Sequence, residues 1–505
     1  MRTILKYIAF LSPVAAVSVS CAKQKSARPN ILFVIADDQS YPDASIYGSE
    51  MVHTPGFDWV ASQGALFHNA YATSPGSSPS RASILTGMYP WQLEEAGTHA
   101  SSFPAKYTCY PDLLASVGYH VGFTGKGWGP GDWEISGRQH NPAGPEYNDC
   151  KLDPPYTGIS KIDYTANFKQ FLSKRDKGQP FCFWLGGHEP HRPYENLSWI
   201  KEGDSLSMAA VPGFLPASDE IKGDLLDYAV EIEWFDNHLM NCIKELQRIG
   251  ELENTIIIVT ADNGMSFPHA KANCYDAGIH VPLAICWGKR IKPAQTVEHL
   301  VSLVDIAPTV LQATGLKPDT AHVGRNILPL LTGKQAEYAN DRIFAGRERH
   351  SCSRYGNLGY PVRCLRWKNY LLIHNFHPFL WPAGDPQELG KDDKLKEMHK
   401  GYFDIDSSPS KDYLVLHRKE EAVAPFFDAA VAKRSEYELY DLAKDAACMK
   451  NIVLEPGCED IVAEMKRMLQ AELEKTRDPR VGDNPEIWES YPRIVGKMRK
   501  FPYNR

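Results

Sequence analysis

The strongest constraint on how this chain can fold is a series of short, unbroken apolar runs separated by helical patterns. Asn30-Ile31-Leu32-Phe33-Val34-Ile35 is apolar at both odd and even positions. A strand tolerates that only when both of its faces are covered, as in the middle of a parallel sheet. Comparable runs recur at 121–124, 181–185, 255–260 and 281–287. Between them lie amphipathic helical stretches, notably 164–172 and the long 221–246. Strands alternating with helices predict an α/β fold built on a mainly parallel sheet sandwiched by helices.

In such sheets ligands bind beyond the carboxyl ends of the strands. Chemically useful residues should therefore follow the apolar runs directly. Asp37-Asp38 ends the first run, Lys126 follows Val121-Gly122-Phe123-Thr124, His188 follows the run at 181, and Asp262-Asn263 follows the run at 255. A lone Asp pair at a strand end is usually just a cap for the next helix. The matching Ala261-Asp262-Asn263-Gly264 makes the pair more than that. Three carboxylates and an amide are all oxygen donors, a set suited to a hard cation, and Ca²⁺ accepts an irregular cage better than Mg²⁺. No His/Cys cluster has the spacing of a tetrahedral zinc site.

Ser77-Ser78-Pro79-Ser80-Arg81-Ala82-Ser83-Ile84-Leu85-Thr86-Gly87 reads as a helix with a nucleophile on its first turn. Pro79 suits an early helical position, and Gly87 is placed to end the helix. Backbone donors at the helix start and the fork of Arg81 both favour an oxyanion.

The segment resembles the signature of the type I sulfatases, Cys/Ser-x-Pro-Ser-Arg-x-x-x-Leu-Thr-Gly, with Ser77 at the modified position. The resemblance implies an alkaline-phosphatase-like fold and oxidation of Ser77 to formylglycine (3-oxoalanine), whose hydrated aldehyde is the nucleophile. A Ser at that position implies an anaerobic sulfatase-maturating enzyme as partner. Asp37, Asp38, Asp262 and Asn263, with the oxygen of residue 77, are implied as Ca²⁺ ligands. Arg81, Lys126 and Lys271 are implied as sulfate clamps, and His188, within His188-Glu189-Pro190-His191-Arg192, as proton donor to the leaving group. Many sulfatases carry a His two residues after the equivalent of Lys126. This chain reads Gly125-Lys126-Gly127-Trp128, so that role is left open between His191, His269 and water. The segments around 188–192, 262–268 and 437–441 are most similar to the N-sulfoglucosamine sulfohydrolase (heparan N-sulfatase) branch and its bacterial relatives. That similarity implies a sulfated carbohydrate substrate, with O- or N-sulfate unresolved. His191, Arg192, Arg347 and His350 are the candidate sugar contacts, the last two within a charged stretch that could equally be a solvated turn. The alternatives are a phosphoester or phosphonate hydrolase of the same superfold, and a glycan-binding lipoprotein without catalysis.

Organisation follows from texture. Residues 1–21 read as an export segment, with Ser18-Val19-Ser20-Cys21 a loose lipobox and Cys21 its lipidated residue. The expected location is therefore periplasmic or cell-surface, with membrane contact only through a lipid anchor. Residues 28–335 form the expected catalytic domain and 336–505 a smaller α+β subdomain: a strand pair at 363–373, a strand at 437–442 and a closing helix at 461–473. Leu330-Leu331-Thr332-Gly333-Lys334 reads as the linker. Cys352 with Cys364, and Cys448 with Cys458, are candidate disulfides for an oxidising compartment. A net charge of −7 argues against nucleic-acid binding.

Overall fold

A computed structural model describes residues 28–319, 321–334, 338, 340–390, 392, 394–494 and 501. The expected export segment and Cys21 lie outside them. Among the described residues no helix is long and apolar enough to cross a membrane.

The apolar runs become a seven-stranded sheet. Its strands are β1 (Asn30–Ala36), β2 (Ala65–Phe67), β3 (His120–Gly125), β4 (Phe181–Gly186), β5 (Thr255–Ala261), β6 (Leu283–Cys286) and β7 (Gln295–Val297). The spatial order is β3-β4-β1-β5-β6-β2-β7. β1 pairs in parallel with both β4 and β5, and β3 with β4. β6 runs antiparallel to β5 and β2. The sheet is thus mainly parallel, as the sequence implied. β1, β4 and β5 are buried along their whole lengths, which explains why they carry no polar alternation.

Helix α1 (Ser77–Thr86) is buried at every position, and Gly87 closes it in a left-handed conformation (φ 67°). Helix α2 (Asp219–Arg248) caps its N-terminus with Ser218, whose side chain accepts from the Ile221 amide, and lays one face on the core. Leu330 and Leu331, in the stretch that reads as a linker, belong to the main hydrophobic core.

The C-terminal part forms a four-stranded antiparallel sheet of β8 (Arg342–Arg347), β9 (Val362–Trp367), β10 (Tyr370–Asn375) and β11 (Tyr437–Asp441). One face packs on helix α3 (Glu459–Lys475) through Phe344, Leu365, Leu372 and Leu439 against Met465 and Leu469. The other face, with Ile343, Val362, Cys364 and Ile373, packs on Tyr71, Tyr275 and Ile279 of the catalytic layer. The proposed disulfides do not form: Cys352, Cys364, Cys448 and Cys458 are all free thiols. Cys364 is instead the neighbour of Cys274 in the layer between the sheets.

Candidate active site

Each strand of the parallel part delivers its polar residues to one edge. β1 ends in Asp37-Asp38, β5 in Asp262-Asn263, and β3 in Gly125 followed by Lys126. Asp38 adopts φ 73°, a left-handed conformation that Asp tolerates better than most residues. It is held there because its amide donates to Asp262 Oδ1 at 3.1 Å. Gly125 is also left-handed (φ 73°), and a Cβ on it would stand 1.9 Å from the Gly186 carbonyl. Only glycine lets β3 and β4 approach closely enough to bring Lys126 beside the residues after β4.

Ser77 Oγ, on the first turn of α1, donates to Asp37 Oδ1 at 2.8 Å and is buried. Lys126 Nζ meets the other Asp37 oxygen at 2.6 Å. Arg81 donates through Nε to Asp262 Oδ2 at 2.7 Å, and its Nη1 is fixed by the carbonyls of Lys126 and Gly127. Lys271 Nζ bridges Asp38 at 2.6 Å and Asp406 at 2.9 Å. The metal ligands and anion clamps expected from sequence therefore form one contiguous cluster.

The electrostatics are those of a crowded site. Burial pushes the Asp37 carboxyl up, but Lys126, His191, Arg81 and Lys271 together hold it well below the usual range. Burial, with Asp37 and Asp38 as like-charged neighbours, outweighs Arg81 and drives Asp262 up to about 6. Burial opposes the Lys271 charge, yet Asp38 and Asp406 raise its pKa. His188 is pushed down to about 4 by its surroundings and by Lys126.

Two buried atoms of this cluster make no hydrogen bond. Asn263 donates through Nδ2 to Asp38 Oδ1, but its Oδ1 accepts nothing. Arg81 Nη2 makes no hydrogen bond and lies 3.7 Å from Asp37 Oδ1. An orphan acceptor beside three carboxylates whose oxygens lie within 4.8 Å of one another fits a hard cation. An orphan guanidinium donor a few ångströms away fits an anion.

Asp37, Ser77, Lys126 and His188 face a cavity of about 630 Å³, with His191, Arg192 and His99 further along its wall. His191 Nε2 lies 3.8 Å from Asp38 Oδ2. Arg192 lines the cavity, but both of its terminal nitrogens are bound to Asp224 at 2.7 Å and its Nε to the Ser266 carbonyl. It shapes the wall and has no free fork to offer. Arg347 and His350 require correction. Arg347 is buried and spends its guanidinium on Asp404 and on the Ala272 and Pro382 carbonyls. His350 stacks behind His99, ring centroids 4.5 Å apart, and does not line the cavity. His269 is likewise excluded: its ring nitrogens meet the Ala429 and Ala447 carbonyls, and it stacks on Tyr275.

Sequence reasoning missed His99 and Asp406. His99 sits in a loop with no motif, and burial with the nearby His350 and Arg493 keeps its pKa well below the usual value. Asp406 meets Lys271 across 135 positions, with no local signal for the pairing.

The family model described as Sulfatase matches residues 29–316, and that described as N-sulphoglucosamine sulphohydrolase, C-terminal, matches residues 268–404. An ulvan-active sulfatase of Formosa agariphila is 28% identical over 359 residues, 70% of this chain and 67% of that protein. The N-sulphoglucosamine sulphohydrolase of Homo sapiens is 26% identical over 501 residues, 90% of this chain and 91% of that protein. Among solved structures, one in complex with its substrate D-glucosamine-2-N,6-O-disulfate superposes with a TM-score of 0.64 at 20% identity, covering 91% of this chain and 99% of that one.

Proposed function

Because the chain belongs to the sulfatase family and is a sulfuric ester hydrolase, we propose that it removes sulfate from a sulfated carbohydrate, with amino sugars of the glycosaminoglycan type its leading substrates. The observation that carries this reading is the placement of Ser77 between two unmet demands. Asn263 Oδ1 lacks a donor, and Arg81 Nη2, 3.7 Å from the Asp37 oxygen that Ser77 binds, makes no hydrogen bond. A cation and a sulfate group answer them respectively.

Asp37, Asp38, Asp262 and Asn263 would hold Ca²⁺, which would supply charge neutralisation at the sulfate oxygens. Ser77 would be converted to formylglycine, whose hydrate supplies the nucleophilic hydroxyl. The chain's own residues then position and stabilise. Arg81, fixed by two carbonyls and Asp262, leaves Nη2 without a hydrogen bond, a donor that would meet the sulfate without reorganising, the condition under which such donors are most effective. Lys126 and Lys271 supply further positive charge. His188 acts as the proton donor in its imidazolium form: the negative charge of a bound sulfate favours that form, it gives its proton to the atom bridging sulfur and sugar, and it is left as neutral imidazole while the departing oxygen or nitrogen leaves protonated. The cavity wall bearing His191 and His99 contacts the sugar.

Export with lipidation at Cys21 and activation by an anaerobic maturase belong to the same proposal. A chain co-expressed with such a maturase should release sulfate from defined sulfated mono- and disaccharides, N-sulfated glucosamine among them. 4-Nitrophenyl sulfate and phosphate, assayed beside them, separate this reading from a phosphoester or phosphonate hydrolase. Sulfate release from no member, with phosphate ester turnover, would reverse the assignment. Binding of sulfated sugars with no turnover by fully modified protein would favour the non-catalytic alternative.

A further inference from the structure

A second cavity, of about 610 Å³, shares no lining residue with the first. It opens at the same edge of the large sheet. β6 runs antiparallel to β5, so His280, just before β6, lies at the edge where Asp262 emerges; β2, antiparallel to β6, brings His68 there too. The far wall is the second sheet.

One residue in that wall is out of pattern. Along β9, Val362, Cys364 and Arg366 share a face, and the first two pack into the apolar layer between the sheets. Period two reserves position 366 for an apolar side chain, yet it carries an arginine that is only 7% exposed. Arg366 lines the cavity, and its Nε and Nη1 have no hydrogen-bond partner. It stands beside the Tyr71 hydroxyl. A buried, permanently charged group with two idle donors is costly unless an anion meets it.

Asp276, a carboxylate that also lines the cleft, is already committed. Asp276 accepts from the Tyr71 hydroxyl at 3.2 Å and contacts His280 Nδ1 at 3.0 Å. Tyr41 and Tyr71 sandwich the His280 ring at 4.2 and 4.5 Å, which fixes a rigid aromatic wall. Phe214 adds an apolar surface, while Asn69 and the exposed Glu298 stand at the rim. Flat apolar faces, hydrogen-bonding groups around them and one buried cation match a sugar ring carrying a single acidic group.

We propose that this cleft is a second saccharide site, which binds an acidic sugar by placing its carboxylate or sulfate on Arg366 and its ring against Tyr41, the half-buried aromatic of the wall. The sugar class rests on the carbohydrate reading given above; the anion demand of Arg366 does not. The site would hold a neighbouring residue of a polyanionic chain, or a separate chain, away from the catalytic cavity.

The test is calorimetric titration of the full-length protein with sodium glucuronate, glucose and sodium sulfate. Arg366→Met removes the cation. Ala446→Trp, at an exposed position lining the cleft, blocks it without disturbing the buried charge, and carries the test if Arg366→Met does not fold. Glucuronate should bind the wild type and lose at least about tenfold in affinity in both variants, while Lys126→Ala in the catalytic cavity leaves that binding intact. Turnover of a sulfated monosaccharide by Ala446→Trp should stay within about twofold of wild type. Equal glucuronate affinity in wild type and Ala446→Trp, or its loss in Lys126→Ala, would overturn the site. Sulfate binding as tightly as glucuronate would overturn the saccharide assignment. Absence of sulfatase turnover in wild-type protein would sink the carbohydrate reading while leaving the measured Arg366 affinity standing.

Discussion

Two of the buried clusters of charge among the described residues differ in what is left over. In the C-terminal cluster the carboxylates are saturated. Asp404 Oδ2 accepts from Arg347 at 2.6 Å and Arg354 at 2.7 Å, while its Oδ1 accepts from the Ser351 amide and Ser353 hydroxyl at 3.0 Å. Glu348 takes Arg363 on one oxygen and Arg480 on the other, and Arg363 also pairs with Asp478. Both clusters leave guanidinium donors without a hydrogen bond, Arg347 Nε and Arg480 Nη1 in the one and Arg81 Nη2 in the other, but the cluster around Ser77 also leaves an acceptor, Asn263 Oδ1, unmet among carboxylates. Saturated carboxylates stabilise and orient; an idle acceptor beside three carboxylates is completed by a cation. Burial and charge density alone do not distinguish the two.

The contrast breaks most sharply on substitution. Asp262→Asn keeps an acceptor for Arg81 but removes a carboxylate, so turnover should fall at least about a thousandfold, with unfolding free energy measured in the presence of chelator changed by less than about 1 kcal/mol. Asp404→Ala should do the reverse. Two arginines lose their partner in a dry site, at about 3–5 kcal/mol in urea unfolding, while the folded fraction keeps turnover within about threefold. A large activity loss from Asp404→Ala at full stability would erase the distinction drawn here.

Cation withdrawal gives a smaller effect. With free Ca²⁺ about a hundred times its Kd, chelation should cost about 2.7 kcal/mol of apparent stability, and Asn263→Ala should abolish that shift whether or not the protein turns over. Scanning calorimetry with and without chelator measures it.

Acid and alkaline limbs of the stability curve sharpen the comparison further. Burial raises the Asp404 carboxyl, but Arg354 and Arg347 outweigh it and hold its pKa far below 3.8. A depressed carboxylate contributes stability that is present above its unfolded value and lost as pH falls, so this network should weaken below about pH 4. Glu231 behaves oppositely. Burial and the neighbouring Glu189 push it up to about 9, and neither of its oxygens has a partner. Its contribution is full below about pH 4.5 and lost as pH rises toward 9. Glu231→Gln should therefore gain on the order of 2 kcal/mol at pH 8 and flatten the alkaline limb, read by urea titrations across pH.

Much of the catalytic half was legible because local pattern and tertiary role coincide there. A run such as Ile31–Ile35 that is apolar at every position can only be a strand covered on both faces, and the residue after such a strand must stand at the sheet edge. The clustering of Asp37, Lys126 and Asp262 follows from those two facts. The charged stretch 347–350 gave no such purchase. Whether Arg347 is solvated, sugar-facing or paired depends on Asp404, 57 positions later, and nothing near either residue records the pairing. His99 was invisible for the same reason: a loop histidine reaches the cavity only through long-range packing on His350. Arg366 is the intermediate case. Its place in β9 could be read from sequence, but the emptiness of its donors could not.

The central claim is that Ser77, once oxidised, is the group on which sulfate removal depends. It is tested by measuring the mass of the Ser77 peptide alongside the turnover of the same preparations, made with graded amounts of anaerobic maturase. Turnover should rise in proportion to the fraction of peptide lighter by about two hydrogens and vanish in Ser77→Ala. Full sulfatase turnover from protein whose Ser77 is unmodified would contradict it.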